Sequence, residues 1–75
     1  MADATLDARG LICPMPVLKA RRALKGLKPG AVLQVLATDP AAKRDFIALC
    51  EATGDVLLES AEAHGVLTFL IQRAA

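Results

Sequence analysis

The residue best placed for chemistry is Cys13. It stands in the run Gly10-Leu11-Ile12-Cys13-Pro14-Met15-Pro16, and a long helical pattern begins directly after it. Proline is favoured at the first position of a helix, where its missing N–H would be unpaired anyway and its φ is already helical. Pro14 is therefore expected as the first helical residue and Cys13 as the N-cap. At that position free backbone N–H groups and the positive end of the helix dipole point at the sulfur and favour thiolate over thiol. Cysteine caps a helix poorly compared with Ser, Thr, Asp or Asn, so a cysteine here points to a thiol wanted for its reactivity. The competing reading is a small buried hydrophobe, the commonest state of a free cysteine. The two prolines, the upstream glycine and the helix start bring the two readings level.

The other reactive groups offer less. Cys50 falls on the apolar face of a second helical pattern with Phe46 and Leu49, and reads as a buried structural residue. Its rival role, a resolving thiol for Cys13, requires the two Cα atoms within about 7 Å. His64 is the only histidine; it falls in a turn and reads as an exposed turn residue rather than a base. There is no Cys-x-x-Cys pair, and Cys13, Cys50 and His64 lack metal-site spacing, so no metal is expected. No glycine-rich phosphate loop occurs, and no aromatics are interleaved for stacking on single-stranded nucleic acid.

Positioning the thiol falls to a short chain. Its 75 residues make one domain, 1–75, with a core from about 5 to 73. Hydrophobic residues make up 55% and Trp and Tyr are absent, so Leu, Val, Ile, Ala and two phenylalanines must build a modest core. The pattern reads β-α-β-α-β-β. Ala4 to Asp7 is a short strand and Arg9-Gly10 a turn. Pro14 to Leu27 is a helix with Val17, Ala20, Leu24 and Leu27 toward the sheet, Leu18 at the margin, and Arg22 and Lys25 toward solvent. Gly26 and Pro29-Gly30 end it. Ala31 to Ala37 is apolar at nearly every position, as suits a central strand parallel to the first. Asp39 is a good N-cap and Pro40 fits the first turn of a second helix, which runs to about Ala52 with Phe46, Leu49, Cys50 and Thr53 on one face; Gly54 ends it. Val56 to Glu62 and Val66 to Arg73 form a hairpin closed at Ala63-His64-Gly65. The expected fold class is α+β: a two-layer α/β sandwich, a mixed four-stranded sheet with both helices on one face. The other face is open to water, with Val66 and Leu70 exposed on it.

Nine basic and eight acidic side chains leave a formal charge of +1, which supplies no general attraction to nucleic acid or an anionic membrane. Basic residues crowd the first third (Arg9, Lys19, Arg21, Arg22, Lys25, Lys28) and acidic ones fall later. That is either an ordinary solvated helix face or a positive surface beside Cys13. The start of the chain has neither a basic cluster nor an apolar stretch, and no apolar run approaches the ~20 residues that span a bilayer. A cytoplasmic protein with no membrane association is expected.

Leu6-Asp7-Ala8-Arg9-Gly10-Leu11-Ile12-Cys13-Pro14-Met15-Pro16 resembles the signature of the TusA/SirA-like sulfur-carrier family, a Cys-Pro-x-Pro motif preceded by Asp-x-x-Gly. Lys28-Pro29-Gly30 resembles the family's turn before the second strand, and Thr38-Asp39-Pro40 with Arg44-Asp45 its entry into the second helix. The likeness runs from about Leu6 to Arg73. Met15 stands at the variable motif position, where other members often have Glu or Leu.

The resemblance implies a persulfide carrier acting as a sulfurtransferase. Cys13 would take sulfur from a cysteine desulfurase or other persulfide donor and pass it to a downstream acceptor protein. tRNA 2-thiouridine synthesis, molybdenum-cofactor maturation, sulfur oxidation and selenium-related traffic are the routes it opens. No cofactor is implied beyond the transient persulfide on Cys13. Asp7, Gly10, Pro14 and Pro16 would support the motif. Arg9, Arg22, Lys25, Arg44 and Asp45 would dock partners. Direct nucleic-acid binding is not expected, and the free protein is expected to be a monomer. Two other classes stay open: a non-catalytic adaptor or regulatory module using the basic first helix and open sheet face, and a thiol redox protein using Cys13 with Cys50.

Overall fold

The computed structural model describes residues 2–74. Its elements follow the expected order: β1 (Ala4–Ala8), α1 (Met15–Lys25), β2 (Val32–Ala37), α2 (Ala42–Thr53), β3 (Val56–Ala63) and β4 (Val66–Gln72). They form one four-stranded sheet in the order β1-β2-β4-β3. β1 pairs parallel with β2, while β2–β4 and β3–β4 are antiparallel. The sheet is thus mixed, as expected.

The period-2 rule for strands selects the core. Leu33, Val35 and Ala37 of β2 stand opposite Ile71, Phe69 and Leu67 of β4, and all six are buried. Ala42, Phe46, Leu49 and Cys50 of α2, spaced four, three and one apart, lie over them. The rings of Phe46 and Phe69 meet with centroids 4.7 Å apart and planes tilted by 36°, a favoured aromatic arrangement. α1 contributes Pro16, Ala20 and Leu24 at a spacing of four. Val17 and Leu27 only pack against this core from the side, and Leu18 is exposed. The buried stripe therefore starts at Pro16, one position before the expected Val17.

Both helices begin later than expected. Pro14 has φ −97° and ψ 14°, in the bridge region rather than the helical one, so α1 starts at Met15 and Cys13 lies one residue outside the N-cap. Before α2, the Asp39 carbonyl accepts from the Ala42 N–H at 3.0 Å. Pro40 and Ala41 are spent in that turn, and the helix starts at Ala42. The C-terminal end of α2 runs as expected into Gly54, whose N–H reaches the Cys50 carbonyl at 2.9 Å.

The hairpin loop is two residues long. His64 and Gly65 have φ of 54° and 78°, the positive pair that a type I′ turn demands and that matches strand twist. On the helix-free face, Val66 and Leu70 are half-buried rather than exposed, because β4 is flanked by β2 and β3 on either side. β3 is an edge strand with a register shift between Leu57 and Glu59, and Leu58 there is half exposed. Bulges of this kind blunt an edge against further pairing.

Candidate functional site

The site is assembled from three pieces of chain: the β1–α1 loop, the β2–α2 turn and the first turns of α2. At the end of β1 the chain reverses through Arg9-Gly10. Gly10 has φ +80° with nothing within 4 Å of where a Cβ would sit, so the glycine answers a backbone requirement and not a steric one. The Leu11 N–H closes the turn on the Ala8 carbonyl at 3.2 Å. The Gly10 N–H donates to Thr38 Oγ1 at 2.9 Å, which fastens this loop to the end of β2.

Asp7 and Arg9, proposed from sequence for different duties, pair with each other. Arg9 Nε and Nη2 donate to the two carboxylate oxygens of Asp7 at 2.9 and 2.8 Å, and the Arg9 backbone N–H adds a third bond at 3.1 Å. These bonds hold the Asp7 carboxyl down at about 2 and raise the Arg9 guanidinium further.

Cys13 is exposed, and its peptide bond to Pro14 is cis. Its N–H donates to Asp39 Oδ2 at 2.7 Å, a charge-assisted bond. The other oxygen of the same carboxylate accepts from the Ala41 N–H at 3.1 Å. Asp39 therefore does more than start α2: it ties the thiol-bearing loop to that start. The sulfur opens into a cleft of about 320 Å³ between the helices, lined by Cys13, Pro14, Val17, Asp45, Ala48 and Leu49. Pro14 forms one wall, and Pro16 is fully buried beneath.

The electrostatics of this cleft overturn one expectation. Cys13 was expected to be a favoured thiolate, yet its thiol is pushed up. The Asp45 carboxylate, which lines the same cleft, favours the protonated thiol most, partial desolvation adds to this, and the charges of Asp45 and Asp39 act the same way against an opposing pull from Arg44. The helix start also offers fewer N–H donors than its position suggests. Pro14 and Pro16 have no N–H to offer. The Cys13 N–H is taken by Asp39, and that of Met15 by the Ile12 carbonyl at 2.9 Å. The prolines that mark the helix start in the sequence also remove the donors that would have stabilised a thiolate there.

The remaining predicted residues divide. Arg44 is strongly exposed and its Nε lies 3.7 Å from Asp45 Oδ1, so both stand at the cleft. Arg22 and Lys25 do not: they are two and three turns along α1, about 10 and 15 Å up its axis, beside a separate shallow groove with Leu18 and Arg21. Ile12 and Met15, which flank Cys13-Pro14 in the chain, are 74% and 41% exposed. Cys50 is buried, its thiol pushed up by burial and by Asp55. His64 lies in the hairpin turn. Among the described residues, no group of three or more His, Cys, Asp or Glu gathers to hold a metal, and no helix is long and apolar enough to cross a membrane. The sequence reading missed the Asp39–Cys13 bond and the placing of Asp45 on the cleft of the thiol. Their only advance signal was the Thr38-Asp39-Pro40 … Arg44-Asp45 string, which carries no information about which N–H or S–H it meets.

The profile of the sulfurtransferase TusA family matches residues 4–73. The chain belongs to that family. A Neisseria meningitidis chain is 50% identical over 96% of this chain and 97% of its own length. The sulfur carrier protein TusA of Allochromatium vinosum is 46% identical over 96% and 95%. Among solved structures, a SirA-like protein of Desulfitobacterium hafniense superposes with a TM-score of 0.84 at 30% identity, covering 96% of this chain and 99% of that one. The resemblance read from the Cys13 region thus holds over the length of a TusA domain, and the α+β architecture matches that of the SirA-like neighbour.

Proposed function

We propose that this TusA-family protein is a sulfur carrier that takes a sulfane sulfur onto Cys13 from a donor such as a cysteine desulfurase and passes it to an acceptor cysteine. The observation that carries the reading is an exposed thiol, fixed by Asp39 through its own backbone at the mouth of an open cleft. The exchange is redox-neutral. Cys13–SH and donor R–S–SH give Cys13–S–SH and R–SH: one S–S bond breaks, one forms, and the proton leaving Cys13 ends on the donor sulfur. No metal or general-base histidine enters this scheme. The exposed apolar side chains of Ile12 and Met15, on either side of Cys13-Pro14 in the chain, favour a protein partner over a polynucleotide, and the near-neutral charge agrees. A monomeric cytoplasmic carrier feeding tRNA 2-thiouridine synthesis or a related sulfur route fits these features.

Incubation with a cysteine desulfurase and cysteine tests it. The wild-type protein is expected to gain the mass of one sulfur atom on the peptide carrying Cys13, and Cys13→Ser to gain none. Equal labelling of both proteins rules the relay out and leaves the adaptor reading standing, in which Cys13→Ala keeps the cellular phenotype and charge reversal at Arg22 and Lys25 abolishes partner binding.

A further inference from the structure

A relay carrier has two opposed duties. It must give sulfur up to the correct acceptor, and it must keep it from the small thiols that surround a protein in a reducing compartment. The cleft holds a device for the second. Discharge of a loaded carrier is Cys13–S–SH plus R′–S⁻ giving Cys13–S⁻ plus R′–S–SH. One S–S bond breaks and one forms, and the negative charge that arrives on R′ sulfur departs onto Cys13 Sγ. The rate depends on how well Cys13 accepts that charge.

The groups facing Sγ are few. From α2 comes the Asp45 carboxylate, seated on the wall of the cleft that Cys13 also lines, with Arg44 Nε 3.7 Å from it. From the β2–α2 turn comes Asp39, bound to the Cys13 N–H. α1 packs on the cleft from the other side with Val17, and among the described residues no charged side chain of α1 lines it. Arg44 is too exposed to neutralise Asp45 fully: its Nε stands 3.7 Å away, and its side chain is 81% accessible. The charge that must develop on Cys13 therefore develops beside a fixed carboxylate.

Resting on the sulfur-carrier reading, we infer that Asp45 is the residue that keeps sulfur on Cys13 while the carrier is free: its carboxylate, on the wall of the cleft into which Cys13 opens, makes Cys13 a poor leaving group and repels anionic small thiolates. It acts through Cys13 and is a positioning residue, not a catalytic one. Release then requires an acceptor that places positive charge over Asp45 and so removes the penalty. Arg44 acts in the opposite sense to Asp45. The raised thiol of the unloaded protein is the same penalty seen without cargo.

The test uses the full chain with signed variants. Asp45→Asn is close in shape, Asp45→Glu restores the charge, and Arg44→Gln removes the opposing cation. Each protein is loaded on Cys13 with inorganic polysulfide, which needs no partner, freed of excess, and exposed to glutathione while persulfide is followed by mass spectrometry. Asp45→Asn is expected to discharge several-fold faster than wild type, Asp45→Glu near the wild-type rate, and Arg44→Gln more slowly. Alkylation of unloaded Cys13 against pH, read at that peptide, is expected to shift to lower pH in Asp45→Asn and to higher pH in Arg44→Gln. Unchanged melting temperatures separate these effects from misfolding, which cannot move the two variants in opposite directions. Discharge of Asp45→Asn at or below the wild-type rate, or a common direction of shift for both variants, overturns the inference. Failure of a desulfurase to load wild-type Cys13 counts against the relay alone, since the alkylation order still decides the effect of Asp45 on the sulfur.

Discussion

Asp39 is the joint on which the site depends, and replacing it has calculable consequences. Its two oxygens serve different segments: Oδ1 takes the Ala41 N–H at the start of α2, and Oδ2 takes the Cys13 N–H. Asp39→Ala strands both donors. Loss of a side-chain acceptor at a helix start costs about 0.5–2 kcal/mol. The Cys13 bond is charge-assisted but exposed, so water replaces part of it and the loss falls toward about 0.5–1.5 kcal/mol. The combined loss is about 1–3 kcal/mol, a large share of the margin of so small a domain. At roughly 4–8 °C per kcal/mol, melting should fall by at least about 5 °C. Asp39→Asn is the discriminating variant. Asn keeps one acceptor oxygen and is itself a good cap, so the Ala41 bond survives. The carboxamide NH₂ then faces the Cys13 N–H, donor against donor, and that bond is lost. The melting loss should be about half that of Asp39→Ala. The assay is thermal unfolding by circular dichroism with hydrogen exchange at the Cys13 amide, which should be protected in wild type and fast in both variants. A Cys13 amide that exchanges equally in wild type and Asp39→Asn would refute the bridge, whatever the melting temperatures.

Two further expectations concern groups around and beneath the thiol. The Asp7 carboxyl should titrate at about 2 instead of its ordinary 3.8. Its folded value lies below its unfolded one, so the pairing with Arg9 favours the fold above pH ~4, and that contribution fades as pH falls toward 2. Carboxyl NMR should show Asp7 returning to the ordinary range in Arg9→Gln; a wild-type Asp7 that already titrates there contradicts the bidentate pair. Cys50 should resist thiol reagents under native conditions while Cys13 reacts, because Cys50 is only 8% exposed on the core face of α2. Mild oxidation should yield no intramolecular disulfide, and finding one would revive the redox-protein reading.

The fold was readable because its signals are local and redundant. β2 is apolar at nearly every position, α2 repeats Phe46, Leu49, Cys50 and Thr53 at helical spacing, and Gly54 and the His64-Gly65 pair end elements where the backbone needs positive φ. The helix starts were misplaced by one and two residues because a proline near a helix start fits the first helical position and the turn before it about equally well. Only the ψ of Pro14 and the Asp39–Ala42 bond decide between them. The open sheet face was misjudged at Val66 and Leu70 for a related reason: burial there comes from neighbouring strands, and strand order is not written in any one segment. The site was legible as a residue and not as a field. Cys13 could be singled out from its neighbours in the chain. The sign of its electrostatic environment depends on Asp39 and Asp45, which arrive from more than twenty residues away through the β2–α2 connection.

That sign changes what kind of thiol this is. A cysteine built to attack has its thiolate favoured by a cation, a histidine or unpaired N–H groups. Here Pro14 and Pro16 offer no N–H, those of Cys13 and Met15 are taken, and the charged residue lining the cleft is a carboxylate. On the inference drawn for Asp45, such a thiol attacks and leaves reluctantly while the protein is free. For an enzyme acting on small molecules that would be a defect. For a molecule whose reaction partners are other proteins, it makes reactivity conditional on docking: the field at Sγ is set by Asp39, Asp45 and Arg44, all reachable at the surface, and a partner contributing positive charge over the cleft changes that field at the moment of contact. The exposed apolar side chains of Ile12 and Met15 beside the motif give such a partner a place to sit, and the carboxylates give it something to neutralise.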